Sequence, residues 1–135
     1  DIDTTTEPIV KAGLRLAGQN PDDRDNPLFK ETFRIPIYDT LFQIAQENLQ
    51  HIDVVLVGPF TSEIQNPNWP EALNERFQVP IEVHYVRCLP EQRRQRMQQR
   101  NQARDEMKLA DWAKHLAYYP TELRPAFEHH FVDSS

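Results

Sequence analysis

Apolar and polar positions along the chain switch between a helical spacing and short continuous runs, and the switches mark the elements. Thr4 and Glu7 have capping-box spacing, with Pro8 placed in the first turn, and Ile9, Val10, Leu14 and Leu16 follow at helical intervals. This predicts a helix that ends near Gly18. A polar, acidic loop around Arg24 follows over Gln19–Pro27. A second helix is predicted from about Leu28 to Leu49, bent at Pro36. Ile37, Leu41, Ile44 and Asn48 share one of its faces, with Phe42, Ala45 and Leu49 beside it. Val54–Val57, within Asp53–Pro59, is a continuous apolar run and predicts a short strand buried on both faces. Trp69–Phe77 predicts a short helix and Ile81–Cys88 a second strand. Pro90 then opens a long helix-prone stretch, and Phe127–Val132 predicts a third strand.

Helices alternating with continuous apolar strands indicate an α/β domain with a parallel sheet, because parallel neighbours require helical crossovers. Such folds bind ligands beyond the carboxyl ends of their strands. The segments after Val57, after Cys88 and before Thr4 are therefore where chemistry is expected.

Composition narrows the classes. The 135 residues suffice for one domain with a core, and 39% hydrophobic residues with seven Phe, four Tyr and two Trp exclude a disordered chain. The longest apolar run is too short to cross a membrane, which predicts no membrane partner. A single cysteine, Cys88, excludes an internal disulfide framework and fits a reducing, cytoplasmic compartment. Net charge is −6, yet Arg87–Arg104 holds six arginines and one acid. An acidic body with one dense basic segment predicts capture of a small anion and no nucleic-acid partner.

That basic segment, Gln92–Glu106, carries the sharpest signal. Met97 is its only large apolar residue, and Arg96, Arg100 and Arg104 recur every four residues, with Arg93 nearby. On one helix these arginines stack along a face, where like charges oppose one another until an anion binds. A solvated helix balanced by Glu91, Asp105 and Glu106 is the competing reading. Asp1 and Asp3 precede a helix start, where carboxylates suit a hydrated magnesium ion, a substrate hydroxyl or simply the helix N-terminus. Arg34 lies just before Pro36, placed either to reach into a cleft or to lie on the surface. His129 and His130 with Asp133 make a thin metal set, since neighbours on a strand point to opposite faces. Cys88 reads as a small core residue. The glycines are Gly13, Gly18 and Gly58, so neither GxxxxGK followed by Ser or Thr nor GxGxxG occurs.

Taken together, Asp1–Thr6, Asn20–Asp25, Phe33-Arg34 with Tyr38, and Val54–Thr61 resemble bacterial P-loop kinases. These are the AAA-type ATP-binding proteins related to zeta toxin, chloramphenicol phosphotransferase and the shikimate and gluconate kinases. The likeness continues through Val86–Glu91, Arg96-Met97, Arg100 and Arg104–Trp112, and so spans essentially the whole chain. It implies a P-loop NTPase-like three-layer α/β/α fold with a parallel sheet, working with ATP and Mg2+ on a hydroxyl of a small-molecule acceptor. By resemblance, Asp1 or Asp3 faces the acceptor hydroxyl and magnesium, with Asp3 the metal ligand. Arg34 and Tyr38 are implied to bind the acceptor. Arg96, Arg100 and Arg104 fall in a mobile lid, about residues 92–106, that closes on the phosphates; phosphoryl transfer depends mainly on positioning and positive charge.

Two features depart from the family pattern. Val57-Gly58 stands where many members carry a magnesium-binding Asp, and the P-loop is missing. The chain begins with Asp rather than Met, which predicts a true start further upstream, and by resemblance the P-loop strand and helix lie there, leaving the chain inactive without them. In the family that first strand lies between the third and fourth, so its loss separates Val54–Val57 from Ile81–Val86. The alternatives are a non-enzymatic kinase-like module binding a small anion through its Arg-rich helix, and a protein-docking helix with no ligand.

Overall fold

A computed structural model describes residues 2–120 and 122–135. It divides into two compact units, Asp1–Gly58 and Pro59–Ser135. Six α-helices and a two-stranded parallel sheet form among the described residues, an α/β composition as expected. A third strand and a three-layer arrangement are not seen among them.

The first unit is built on α1 (Ile2–Leu16) and α2 (Pro27–Asn48). α1 begins before Thr4, so the expected capping box is overturned and Pro8 lies inside the helix rather than in its first turn. Thr6, one of its buried residues, turns its hydroxyl back to donate to the Ile2 carbonyl at 2.8 Å. Asn26 caps α2 by accepting from the Leu28 N–H at 2.8 Å, and Pro27 takes the first turn, where a missing N–H is harmless. α2 continues through Pro36 as one helix. Val10 and Leu14 of α1 are buried with Ile37 of α2, and Phe29 and Phe33 pack against them. At Gly13 a Cβ would lie 2.6 Å from the Phe33 ring tip, so the ring would have to shift. Only one face of α1 is used: Leu14 is fully buried while Leu16 is 92% exposed.

The expected strand at Val54–Val57 does not form; residues 53–60 have no sheet partner. Val55 is 83% exposed and Val57 57%. An apolar run encodes burial, but a strand also needs a neighbour to take its backbone N–H and C=O groups.

In the second unit, Phe60, Ile64, Leu73, Phe77 and Met97 are among the buried apolar side chains. Phe60 adopts a left-handed backbone (φ 44°), unusual for a bulky residue, with its ring tilted against Trp69 at 5.2 Å. α3 covers Trp69–Phe77, as the pattern predicts, and a 3-10 turn that the pattern did not indicate covers Glu63–Gln65. Strand β1 (His84–Arg87) pairs in parallel with β2 (His130–Asp133), in the register His84 to His130 and Arg87 to Asp133. Both are shorter than expected. Between them run α4 (Pro90–Arg100), α5 (Ala103–Ala110) and α6 (Trp112–Tyr118), the helical crossover that parallel order requires. No helix among the described residues is long and apolar enough to cross a membrane.

Candidate functional site

The second unit presents its polar chemistry at the carboxyl ends of β1 and β2, where α4 begins. Ser134 continues the ladder past β2: its N–H and its hydroxyl both donate to the Arg87 carbonyl, at 2.8 and 3.0 Å. Ser135 turns back, its hydroxyl accepting from the Leu89 N–H at 3.0 Å. Arg96 reaches from α4 to this corner, donating to the Ser134 carbonyl at 2.6 Å and lying 3.3 Å from its hydroxyl and 3.5 Å from Cys88 Sγ. Arg87 lies 3.6 Å from both Asp133 and Glu122. The Ser135 backbone N–H donates to the Asp133 carboxylate at 3.0 Å, and this bond holds its pKa below the ordinary aspartate value.

The remaining arginines of α4 also meet protein partners. Arg93 donates to the Tyr119 carbonyl at 3.1 Å and lies over the Trp112 ring at 5.7 Å. Burial lowers its pKa from the usual arginine value. Arg94 covers the same ring at 5.9 Å. Arg100 makes a two-pronged contact with Asp105, at 2.5 and 2.7 Å.

The single arginine face expected over residues 92–106 is not formed. α4 ends at Arg100, and Asn101 caps it in the left-handed conformation (φ 46°, ψ 51°), a geometry asparagine tolerates. Arg96 and Arg100 therefore share α4, while Arg104 lies in the first turn of α5. Met97, the one large apolar residue of the segment, is buried as the anchor of α4.

In the first unit, the implied acceptor residues Arg34 and Tyr38 are brought together. One turn apart on α2, they place the guanidinium 4.9 Å from the ring centre. Tyr38 is buried and stacks on Phe42 at 6.4 Å. Asp1 lies outside the described residues. Asp3, in the first turn of α1, pairs with Arg24 at 2.5 Å, and the Arg24 side chain is only 10% exposed. Arg24 also lies 5.8 Å over Phe29, and its Nη2 has no hydrogen-bond partner among the described residues. Sequence reasoning missed Arg24 as Asp3's partner, because a surface loop gave it no periodicity to read. A magnesium ion at Asp3 would face this guanidinium, so the carboxylate in this arrangement does not fit the metal.

A further cluster escaped the sequence reading. Glu82, His84 and His130 bring three potential metal-ligating atoms within 4.8 Å of one another. The signal available was Glu82 and His84 two apart in an extended segment, hence on one face. The partner His130 became identifiable only through the strand register.

No protein-family model, curated protein or solved structure matches this chain.

Proposed function

We propose that these residues are the body of an ATP-dependent, cytoplasmic small-molecule kinase whose phosphate-binding loop is carried by a segment outside them. The observation carrying the reading is the unsatisfied apolar run at Val54–Val57. Its composition is that of a central strand, yet its backbone has no ladder and Val55 stands in solvent. A further apolar strand carrying the P-loop accounts for that. The parallel pairing of β1 with β2 supports the same reading, since it leaves one edge of β1 open to another strand and groups the polar residues at the carboxyl ends.

The reading assigns acceptor binding to the first unit, through Arg34 and Tyr38. Asp3 orients the acceptor hydroxyl by accepting from it, and the hydroxyl proton passes to solvent as the oxygen attacks the γ-phosphorus of ATP. The bond from that phosphorus to the bridging oxygen breaks, releasing ADP. Of the two lid arginines, Arg104 on α5 is the one assigned to the phosphates of ATP, since Arg100 is engaged by Asp105. No metal ligand is taken from Asp3. An anion-binding module acting through α4 ranks second, because Arg93, Arg96 and Arg100 already hold protein acceptors that a free anion would have to displace.

The test is the coding sequence upstream of Asp1, followed by ATP turnover of the longer protein it encodes. An apolar strand followed by GxxxxGK and Ser or Thr, with turnover lowered in Arg104→Ala, is the expected result. A longer protein that has no such motif and does not bind ATP overturns the reading.

A further inference from the structure

We propose that Glu82, His84 and His130 form a site for a borderline divalent metal ion, zinc foremost, at the amino-terminal rim of the sheet. The site is independent of the kinase reading and lies at the opposite end of the strands from the corner held by Arg96.

The backbone prepares this site before any side chain moves. His84 and His130 are direct partners in the parallel register, and the His130 N–H donates to the Val83 carbonyl at 2.8 Å. Partners in a ladder project to the same face about 4.8 Å apart, and the two imidazoles stack with centroids 4.7 Å apart and 23° between planes. Glu82, two residues before His84, shares that face, and its Oε2 lies 3.5 Å from His84 Nε2. His129, the sequence neighbour, is turned to other partners: its Nδ1 lies 2.8 Å from the Phe127 carbonyl and its ring meets Tyr85 edge-on.

Two imidazoles and one carboxylate are the donor set of borderline cations, whereas magnesium and calcium prefer oxygen alone. Around tetrahedral zinc, with bonds of about 2.0–2.2 Å, ligand atoms stand roughly 3.4 Å apart. The Glu82–His84 contact already has that spacing, and the remaining atoms lie within 4.8 Å. All three side chains are exposed, so rotation about their own torsions can close the difference. Three protein ligands leave the fourth position to water. In binding, the metal takes neutral imidazoles and an ionised carboxylate, so affinity falls as the histidines protonate. The bound ion bridges two strands of only four residues each and ties Glu82–His84 to His130.

The experiment is a calorimetric titration of the full chain with zinc chloride at pH 7.5, repeated at pH 5.5. One ion per chain is expected, bound at least about tenfold more weakly at the lower pH, where free imidazole is mostly protonated. His84→Ala and His130→Ala should each weaken binding at least about tenfold, since even the hydrogen-bond partners of metal ligands have effects of that size. Glu82→Gln should weaken it less, while His129→Ala and Cys88→Ser should leave it unchanged. Zinc affinity unaltered in both His84→Ala and His130→Ala overturns the site, as does loss on His129→Ala equal to theirs. If a variant loses its native circular dichroism, X-ray absorption of the zinc-loaded natural chain decides instead. Two imidazoles in the coordination shell support the site, and fewer than two overturn it.

Discussion

Arg100 grips the carboxylate of Asp105 with two nitrogen atoms across the break at Asn101, and the two ends of that contact live in different surroundings. Asp105 is 1% exposed, whereas the Arg100 side chain is 48% exposed. The pair closes the corner between α4 and α5. Removing the arginine strands a buried charge, while removing the acid leaves a guanidinium that water can reach. Because the arginine is half exposed, the loss lies below that of a fully buried pair. Arg100→Met should destabilise the chain by about 1–3 kcal/mol in urea unfolding at pH 7. Adding Asp105→Leu should recover at least half of that, because it removes the stranded charge. Additive losses in the double variant would show that the two residues act separately.

How far the sequence could be read depended on whether each element's partner lay nearby in the chain. Trp69–Phe77 was legible because Leu73 and Phe77 recur one turn apart and both are buried. The two paired strands were legible from short stretches of β-branched and aromatic residues, and their parallel order followed from the helices between them. Val54–Val57 was not, because a hydrophobic run records a need for burial without naming the strand that satisfies it. The break at Asn101 was missed for a local reason: helices commonly end on glycine, and here asparagine takes the left-handed position. The partners of the arginines were hidden for the same reason as the His84–His130 pair. Charge spacing places Arg96 and Arg100 on one face, but only the fold brings Ser134 to Arg96.

Two leucines on α1 test which face of that helix is used. Leu14 is fully buried between α1 and α2, while Leu16 is 92% exposed. Leu14→Ala should lower stability by about 3 kcal/mol, combining lost burial with the cavity left behind. Leu16→Ala should stay within about 0.5 kcal/mol. Both follow from denaturant unfolding monitored by circular dichroism. Equal losses would mean that Leu16 is covered in solution.

The corner beyond β2 has a definite pH signature. Hydrogen bonding from Ser135 lowers the Asp133 pKa in the folded state, with Arg87 adding a smaller pull. A carboxyl depressed on folding contributes stability that is present above its unfolded value. That contribution is lost as pH falls through the folded value, so the window lies below about pH 4. Carbon-detected NMR should show the Asp133 carboxyl titrating at lower pH than that of the unfolded chain. Ser135→Gly keeps the backbone donor and should retain much of the depression, whereas Ser135→Pro removes the N–H and should return Asp133 toward the ordinary range. A Pro variant with an unchanged titration would place the cause elsewhere.

The unpaired run at Val54–Val57 separates the kinase body from a module complete in itself. Backbone amides without a ladder exchange with solvent quickly, and hydrogen exchange reads this residue by residue. In the 135-residue chain, the amides of Val54, Val55, Leu56 and Val57 should exchange near the unstructured rate, while those of α3 and α4 are protected. In a longer protein carrying the P-loop strand, the same four amides should slow by orders of magnitude, because a parallel neighbour supplies their acceptors. Burial would fall on their side chains at the same time, so Val55→Asp should be silent in the short chain and strongly destabilising in the long one. Protection of these amides in the short chain would mean that they already have a partner. The segment would then need no missing strand, and the kinase reading would lose the observation that carries it.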